Sequence, residues 1–548
     1  MKQSVQNPNS TYDVVIVGAG FGGLYMLYRL RQLGLSVHVY EAADNVGGTW
    51  YWNRYPGARC DAESLAYSFS FDEALEQEWH WTERYATQPE ILRYAEHVAE
   101  RFDLRKDISF EHRVDTASYD DASDRWLVST QNGTASSAQY LIMATGCLSV
   151  PMVPDIPGVD DFKGNRYQAS MWPHEGVDFS GQRVGVIGTG SSAIQAIPVI
   201  AEQAGQLTVF QRTANFSVPA KNKELDEDWV QRFKQHYREH RDSHKKGLTS
   251  GFGDLQIRPL AQLPLADSGA ALSDAELDSI LEQRWQQGGA FFLSAVADSI
   301  MDEQTNSRIA GFIHRKIKET VKDPATAQAL CPDSHPVGTK RICVDTDYYA
   351  TFNRQNVELV DLNENPIRQI TTTGVQLEDR HVELDSLVLA TGFDAMTGAL
   401  LKMDITGSNG QSLREKWSAG PRTYLGLMIA GFPNLFTITG PGSPSVLSNM
   451  LVSIEQHVDF IVDVIQRARG DQAKRIEVGL DAEDQWVAHV NEIANATLYP
   501  KGGSWYLGAN IPGKPRVFMP YAAGVGAYRE ICEEVAADDY RGFVFQAA

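Results

Sequence analysis

The segment from Asp13 to Glu41 constrains this chain more than any other. An apolar β-branched run, DVVIV, enters GAGFGG directly. An amphipathic run, LYMLYRLRQLG, follows, and a second apolar run, SVHVYE, closes on Glu41. Strand, glycine turn, helix, strand and acid in that order form the dinucleotide-binding fingerprint. Gly18 permits the tight turn, Gly20 lets the backbone approach a pyrophosphate, and Gly23 lets the helix pack on the strand. The helix N-terminus offers unpaired N–H groups and a positive dipole end to phosphate. Glu41 falls 23 residues after Gly18, where a carboxylate accepts a ribose hydroxyl.

The pattern recurs once. RVGVIGTGSSA (183–193) is again strand, G-x-G-x-x-A and helix, with Gly188, Thr189, Gly190 and Ser191 in the turn. The next strand, LTVFQRT, ends on Arg212 rather than an acid, 24 residues after Gly188. A guanidinium grips a 2′-phosphate that a carboxylate would repel. The first site is therefore expected to hold FAD and the second NADPH, with Thr189, Ser191 and Thr213 as further nucleotide contacts.

Two apolar strands, YLIMATG (140–146) and SLVLATGF (386–393), end in Ala-Thr-Gly and mark the crossings between the two nucleotide units. NLFTITGPGSP (434–444) reads as a strand entering a tight loop beside the flavin ring. Charged, helically periodic sequence fills the region after residue 220, where Ser273 and Glu276 form a capping box. The predicted fold is α/β, with two Rossmann-like dinucleotide-binding domains (FAD and NADP) and a helical insertion. Its predicted divisions are 1–147 (FAD, first part), 148–220 (NADP, first part), 221–333 (helical insertion), 334–388 (NADP, second part) and 389–548 (FAD, second part).

Composition removes several classes. A net charge of −21 opposes nucleic acid as a partner. No apolar run reaches membrane-spanning length, and the polar start MKQSVQNPNSTYD lacks a signal-peptide core. The five cysteines include no C-x-x-C pair, which fits a reducing compartment and opposes a dithiol reductase. No cluster has metal-ligand spacing. A cytoplasmic monomer or weak homo-oligomer without membrane or nucleic-acid partners is expected.

Two longer patterns carry a family resemblance over essentially the whole chain. GGTWYWNRYPGARCD (47–61) matches G-G-x-W-x-x-x-x-Y-P-G-x-x-x-D throughout. FKGNRYQASMWP (162–173), on the linker from the first nucleotide unit to the second, matches F-x-G-x-x-x-H-x-x-x-W-P at Phe162, Gly164, Trp172 and Pro173, with Gln168 in place of the histidine. Together they resemble the Baeyer–Villiger monooxygenases, class B flavoproteins that insert one oxygen of O₂ beside a ketone carbonyl. GTKR, GPGSPSVLSNMLVSIEQH and SWYLGANIPGKPRVFM resemble the phenylacetone monooxygenase branch.

The resemblance implies an NADPH- and O₂-dependent conversion of ketones to esters or lactones through a C4a-peroxyflavin. Water must be excluded, since it releases H₂O₂, and sulfoxidation is expected as a side activity. Arg341 is implied as the fixed cation beside the flavin, a cofactor contact that stabilises both the peroxide and the ketone adduct, and Asp61 as the carboxylate that orients it. Lys340 joins Arg212 on the 2′-phosphate, and Trp505 belongs to a mobile loop that closes over NADP. Trp50, Asp61 and Tyr67 are implied FAD contacts, and Cys147, Ser445, Val446, Leu447 and Met450 line the ketone pocket. Glutamine at 168 keeps a donor and an acceptor but does not titrate near neutrality. The rival readings are an N- or S-oxidising flavin monooxygenase, a disulfide reductase, and a non-catalytic flavin- and NADP-binding sensor.

Overall fold

In a computed structural model describing residues 9–246 and 265–547, two separate sheets carry the two glycine turns. Strand β1 (Ser10–Val17), helix α1 (Phe21–Gln32) and strand β2 (Val37–Tyr40) form the first unit. β1 lies between β2 and β3 (Ala135–Met143), parallel to both. Val14, Val15 and Ile16 are fully buried, as a central parallel strand covered on both faces requires. Leu435–Thr437 runs parallel to the end of β3, placing TITGPGS beside the first glycine turn. The sheet continues through antiparallel Arg125–Thr130 and Val114–Asp120 to Asp404–Thr406.

The second sheet has five parallel strands. Its edge strand is β4 (Asn165–Gln168), followed spatially by Ser386–Leu389, β5 (Arg183–Ile187), β6 (Gln206–Gln211) and Val357–Asp361. Helix α2 (Ser191–Gln203) crosses from β5 to β6. The stretch around Gln168, read from sequence as a linker, is therefore partly a strand, with Gln168 paired to Leu389. Its polar composition hid it, because an edge strand is covered on one side only. Phe162 and Trp172 are buried, and Trp172 lies 5.3 Å from the Tyr167 ring. A Cβ on Gly164 would meet the Asp385 carbonyl oxygen at 2.5 Å, so close approach explains this glycine. Gln168 itself is half-buried.

A short parallel pair, β7 (Ser217–Pro219) and β8 (Cys343–Asp345), follows the second sheet. Between them lie the helices Glu227–Gln235, Tyr237–Lys245, Asp274–Gln287 and Glu303–Thr320. The Ser273–Glu276 capping box is formed. Buried cations dock these helices onto residues 63–84. Arg241 pairs with Glu76 at 2.9 Å, their side chains 4% and 6% exposed, and donates to the Ala66 carbonyl at 3.0 Å. Lys234 donates to the carbonyls of Gln77 and Trp79. Arg84 pairs with Glu63 and donates to the Gln287 carbonyl at 2.7 Å.

Helix α3 (Met450–Gly470) packs on α1. Asn449 caps it and also donates to the Ala66 carbonyl at 2.7 Å. All five cysteines are buried and unpaired. No helix among the described residues is long and apolar enough to cross a membrane.

Candidate active site

Both glycine turns end in uncapped helices. Gly20 and Gly190 occupy the N-cap positions of α1 and α2 without a side-chain cap, and neither first turn carries an acid. The first N–H groups of each helix are thus left to an anion. A Cβ on Gly23 would sit 1.9 Å from the Gly18 carbonyl oxygen, so glycine is needed there for helix–strand contact. Gly190 has open space where a Cβ would project, as a backbone approached by a ligand requires.

Glu41 is buried at the end of β2, where Ala19 N–H and Ala43 N–H donate to its two oxygens at 2.6 and 2.8 Å. Burial raises its pKa and these backbone donors oppose the rise. Each oxygen keeps a lone pair for a ribose hydroxyl. Trp50 Nε1 donates to the Tyr67 hydroxyl at 3.1 Å, both side chains being buried. These features fit FAD.

The GGTWYWNRYPGARCD segment joins the two nucleotide units. Tyr55 donates to Gln195 Oε1 on α2 at 2.8 Å. Gly57, at φ +77°, would push a Cβ to 2.4 Å from the Gln195 carbonyl oxygen. Asp61, which ends the segment, meets Arg341 in a bidentate pair: Nε to Oδ2 and Nη2 to Oδ1, both 2.9 Å. Arg341 Nη1 also donates to the Val446 carbonyl at 2.7 Å. Burial opposes the Arg341 charge, but Asp61 and the Tyr506 phenol outweigh it and raise the pKa above the ordinary arginine value.

Lys340 precedes Arg341 on the segment entering β8 and donates to the Gly503 carbonyl at 3.3 Å. Burial first, then the charge of Arg212, pushes its pKa down. Arg212 is exposed and makes no ion pair among the described residues. Two cations raising each other's energy suit a phosphate dianion. Thr189 Oγ1 donates to the Thr213 carbonyl at 2.7 Å, and Ser191 Oγ lies 3.3 Å from Cys343 Sγ. Asn215, which the sequence did not single out, donates to Cys343 Sγ at 3.2 Å and to the Arg341 carbonyl at 3.4 Å.

Cys147, Val446 and Leu447 share an apolar cluster with Tyr499, Tyr506, Phe518 and Met519, against which Met450 and Trp505 pack. Cys147 Sγ is 3.0 Å from Ser445 Oγ. Ser445 stands at φ +45°, a costly conformation for a residue with a side chain. The segment after Trp505 is tied to the second Ala-Thr-Gly crossing by Lys514 to Asp394 at 2.5 Å and Asn510 to the Phe393 carbonyl at 2.7 Å. These polar anchors had no local sequence signature.

Residues 15–248 match the family model described as pyridine nucleotide-disulphide oxidoreductase. A Baeyer–Villiger monooxygenase of Pseudooceanicola batsensis (strain ATCC BAA-863 / DSM 15984 / KCTC 12145 / HTCC2597) is 40% identical, over 99% of this chain and 98% of its own. The phenazine N-monooxygenase PhzNO1 of Lysobacter antibioticus is 39% identical over 99% of this chain and 98% of its own. The solved structure of an oxidised steroid monooxygenase bound to NADP is 49% identical, with a TM-score of 0.93 over 98% of this chain and 100% of that one.

Proposed function

The chain belongs to the Baeyer–Villiger monooxygenase family, and we propose that its substrate is an apolar ketone whose developing oxyanion is held by Arg341. The reaction class is that of the family: ketone to ester or lactone, with FAD and NADPH as cofactors and O₂ as co-substrate. The observation carrying the proposal is the bidentate Asp61–Arg341 pair, joined through Val446 to the loop read as the pocket wall.

FAD, held at the first glycine turn and Glu41, would supply the hydride-accepting and O₂-activating chemistry. The side chains supply the remaining requirements. Arg341 stays charged though buried, and presents that charge where the ketone oxygen becomes negative. Asp61 fixes its orientation. Gly18, Gly20, Gly23, Glu41, Trp50 and Tyr67 hold FAD, while Gly188, Thr189, Gly190, Ser191, Arg212, Thr213, Lys340 and Trp505 hold NADPH. Cys147, Ser445, Val446, Leu447 and Met450 receive the ketone and keep water away. The domain divisions stated above and sulfoxidation as a side activity belong to the same reading. So do a cytoplasmic location, which the unpaired cysteines support, and a monomeric or weakly homo-oligomeric state.

Aerobic turnover with NADPH tests the proposal. The panel holds phenylacetone, cyclohexanone, a long-chain 2-ketone, a steroid ketone, a thioether and phenazine, with products identified by mass spectrometry and H₂O₂ assayed in parallel. A ketone product one oxygen heavier, with little H₂O₂, is expected. Oxidation of phenazine alone would favour the N-oxidising reading that the 39% identical relative keeps in view.

A further inference from the structure

The Tyr506 side chain is fully buried, yet no group among the described residues makes a well-formed hydrogen bond to its hydroxyl. An unsatisfied buried hydroxyl carries a penalty and is uncommon. The ring is firmly held. Its backbone carbonyl accepts from Met519 N–H at 2.9 Å, and the Trp505 and Tyr499 rings stand 4.4 and 5.8 Å away. Cys147, Val446 and Leu447 belong to the same apolar cluster.

The polar groups acting on this phenol are Arg341, Asp61 and Cys343. Burial first, against the lowering effect of Arg341, holds its pKa up at about 12, so the hydroxyl keeps its proton at neutral pH. Arg341 reaches the same cluster through the Val446 carbonyl, and its positive charge acts on the phenol. That charge turns the phenol's own hydrogen away, because a cation repels a donor hydrogen.

We propose that Tyr506 is a second donor to the ketone oxygen, adjoining Arg341, and so a catalytic residue of the ketone step. The proposal rests on the ketone reading above. Wild-type ketone turnover tests that reading alone, and the variants below test the role of Tyr506. The donor acts chiefly where charge has developed, so it lowers the barrier more than it tightens ketone binding.

The experiment compares Tyr506→Phe with wild-type holoenzyme, by kcat and KM for the best ketone and by anaerobic flavin reduction with NADPH. Thermal unfolding and the bound-flavin spectrum monitor the fold. The expected result is a ten- to hundredfold fall in kcat, a KM change under threefold, and unchanged flavin reduction. Ketone turnover equal to wild type would overturn the assignment. So would an equal fall in flavin reduction, which would place the hydroxyl on the coenzyme. If the phenylalanine variant sheds FAD, 3-fluorotyrosine at position 506 decides, since it keeps the ring and hydroxyl but changes O–H acidity. A donor role changes kcat with the ketone by more than twofold, and a packing role leaves it unchanged.

Discussion

Arg341 and Lys340 are adjacent in sequence but meet different partners, Asp61 and the Gly503 carbonyl, and substitution separates them. Arg341→Ala removes the fixed charge and is expected to lower ketone kcat by about a hundredfold or more. Arg341→Lys restores little, because a lysine ammonium does not reproduce the bidentate grip on Asp61. Steady-state assays with the best ketone check both. Lys340→Ala is expected to raise the KM for NADPH by roughly ten- to a hundredfold and leave that for NADH nearly unchanged; paired coenzyme titrations read this. At this scale the sequence was uneven as a guide. Glu41 was legible because its partners lie within one βαβ unit at a fixed spacing. The Asp61–Arg341 contact spans 280 residues, so no local spacing announced it and only the family patterns did. Tyr506 was overlooked, since a tyrosine in an aromatic-rich run looks like core until the Arg341 segment folds beside it.

Among the elements, α1 and α3 carry the sharpest expectations. Gly23→Ala forces a Cβ against the Gly18 carbonyl, so α1 must move off β1. The variant is expected to be recovered with little FAD, as the ratio of flavin to protein absorbance will show. On α3, burial holds the His457 pKa down at about 3, and Thr439 N–H donates to its Nδ1 at 3.0 Å. Burial likewise holds His335 down at about 4, with Lys340 adding to the effect. Below pH 6.5 the unfolded chain protonates at both positions while the folded chain does not. Stability is therefore complete above that pH and is lost as pH falls toward these values. At pH 5 the loss is about 2 kcal/mol for each histidine. His457→Gln is expected to flatten the fall in urea midpoint between pH 7 and 5, and an unchanged slope would contradict this. The strands and helices that bury apolar runs were readable from sequence. β4 was not, because its four residues are exposed or half-buried on both faces and so show no apolar alternation.

For the whole molecule, the docking of the helical insertion is a matter of buried charge. Arg241→Ala leaves Glu76 without its partner and is expected to cost about 3–5 kcal/mol, measured by denaturant unfolding. The sequence predicted helices there but not what holds them. Arg241 and Glu76 lie on surfaces that only the tertiary fold brings together. The placement of the cysteines has its own consequence for working life. A catalyst that activates oxygen makes some peroxide whenever ketone is scarce, and so bathes itself in an oxidant. Peroxide attacks thiolates, and burial raises the pKa of all five cysteines, keeping them protonated and enclosed. The first lesions are expected instead at the thioethers of Met171 and Met301, 57% and 51% exposed. Peptide mass mapping after idle turnover would find them there, so the enzyme should wear at its surface before its active site.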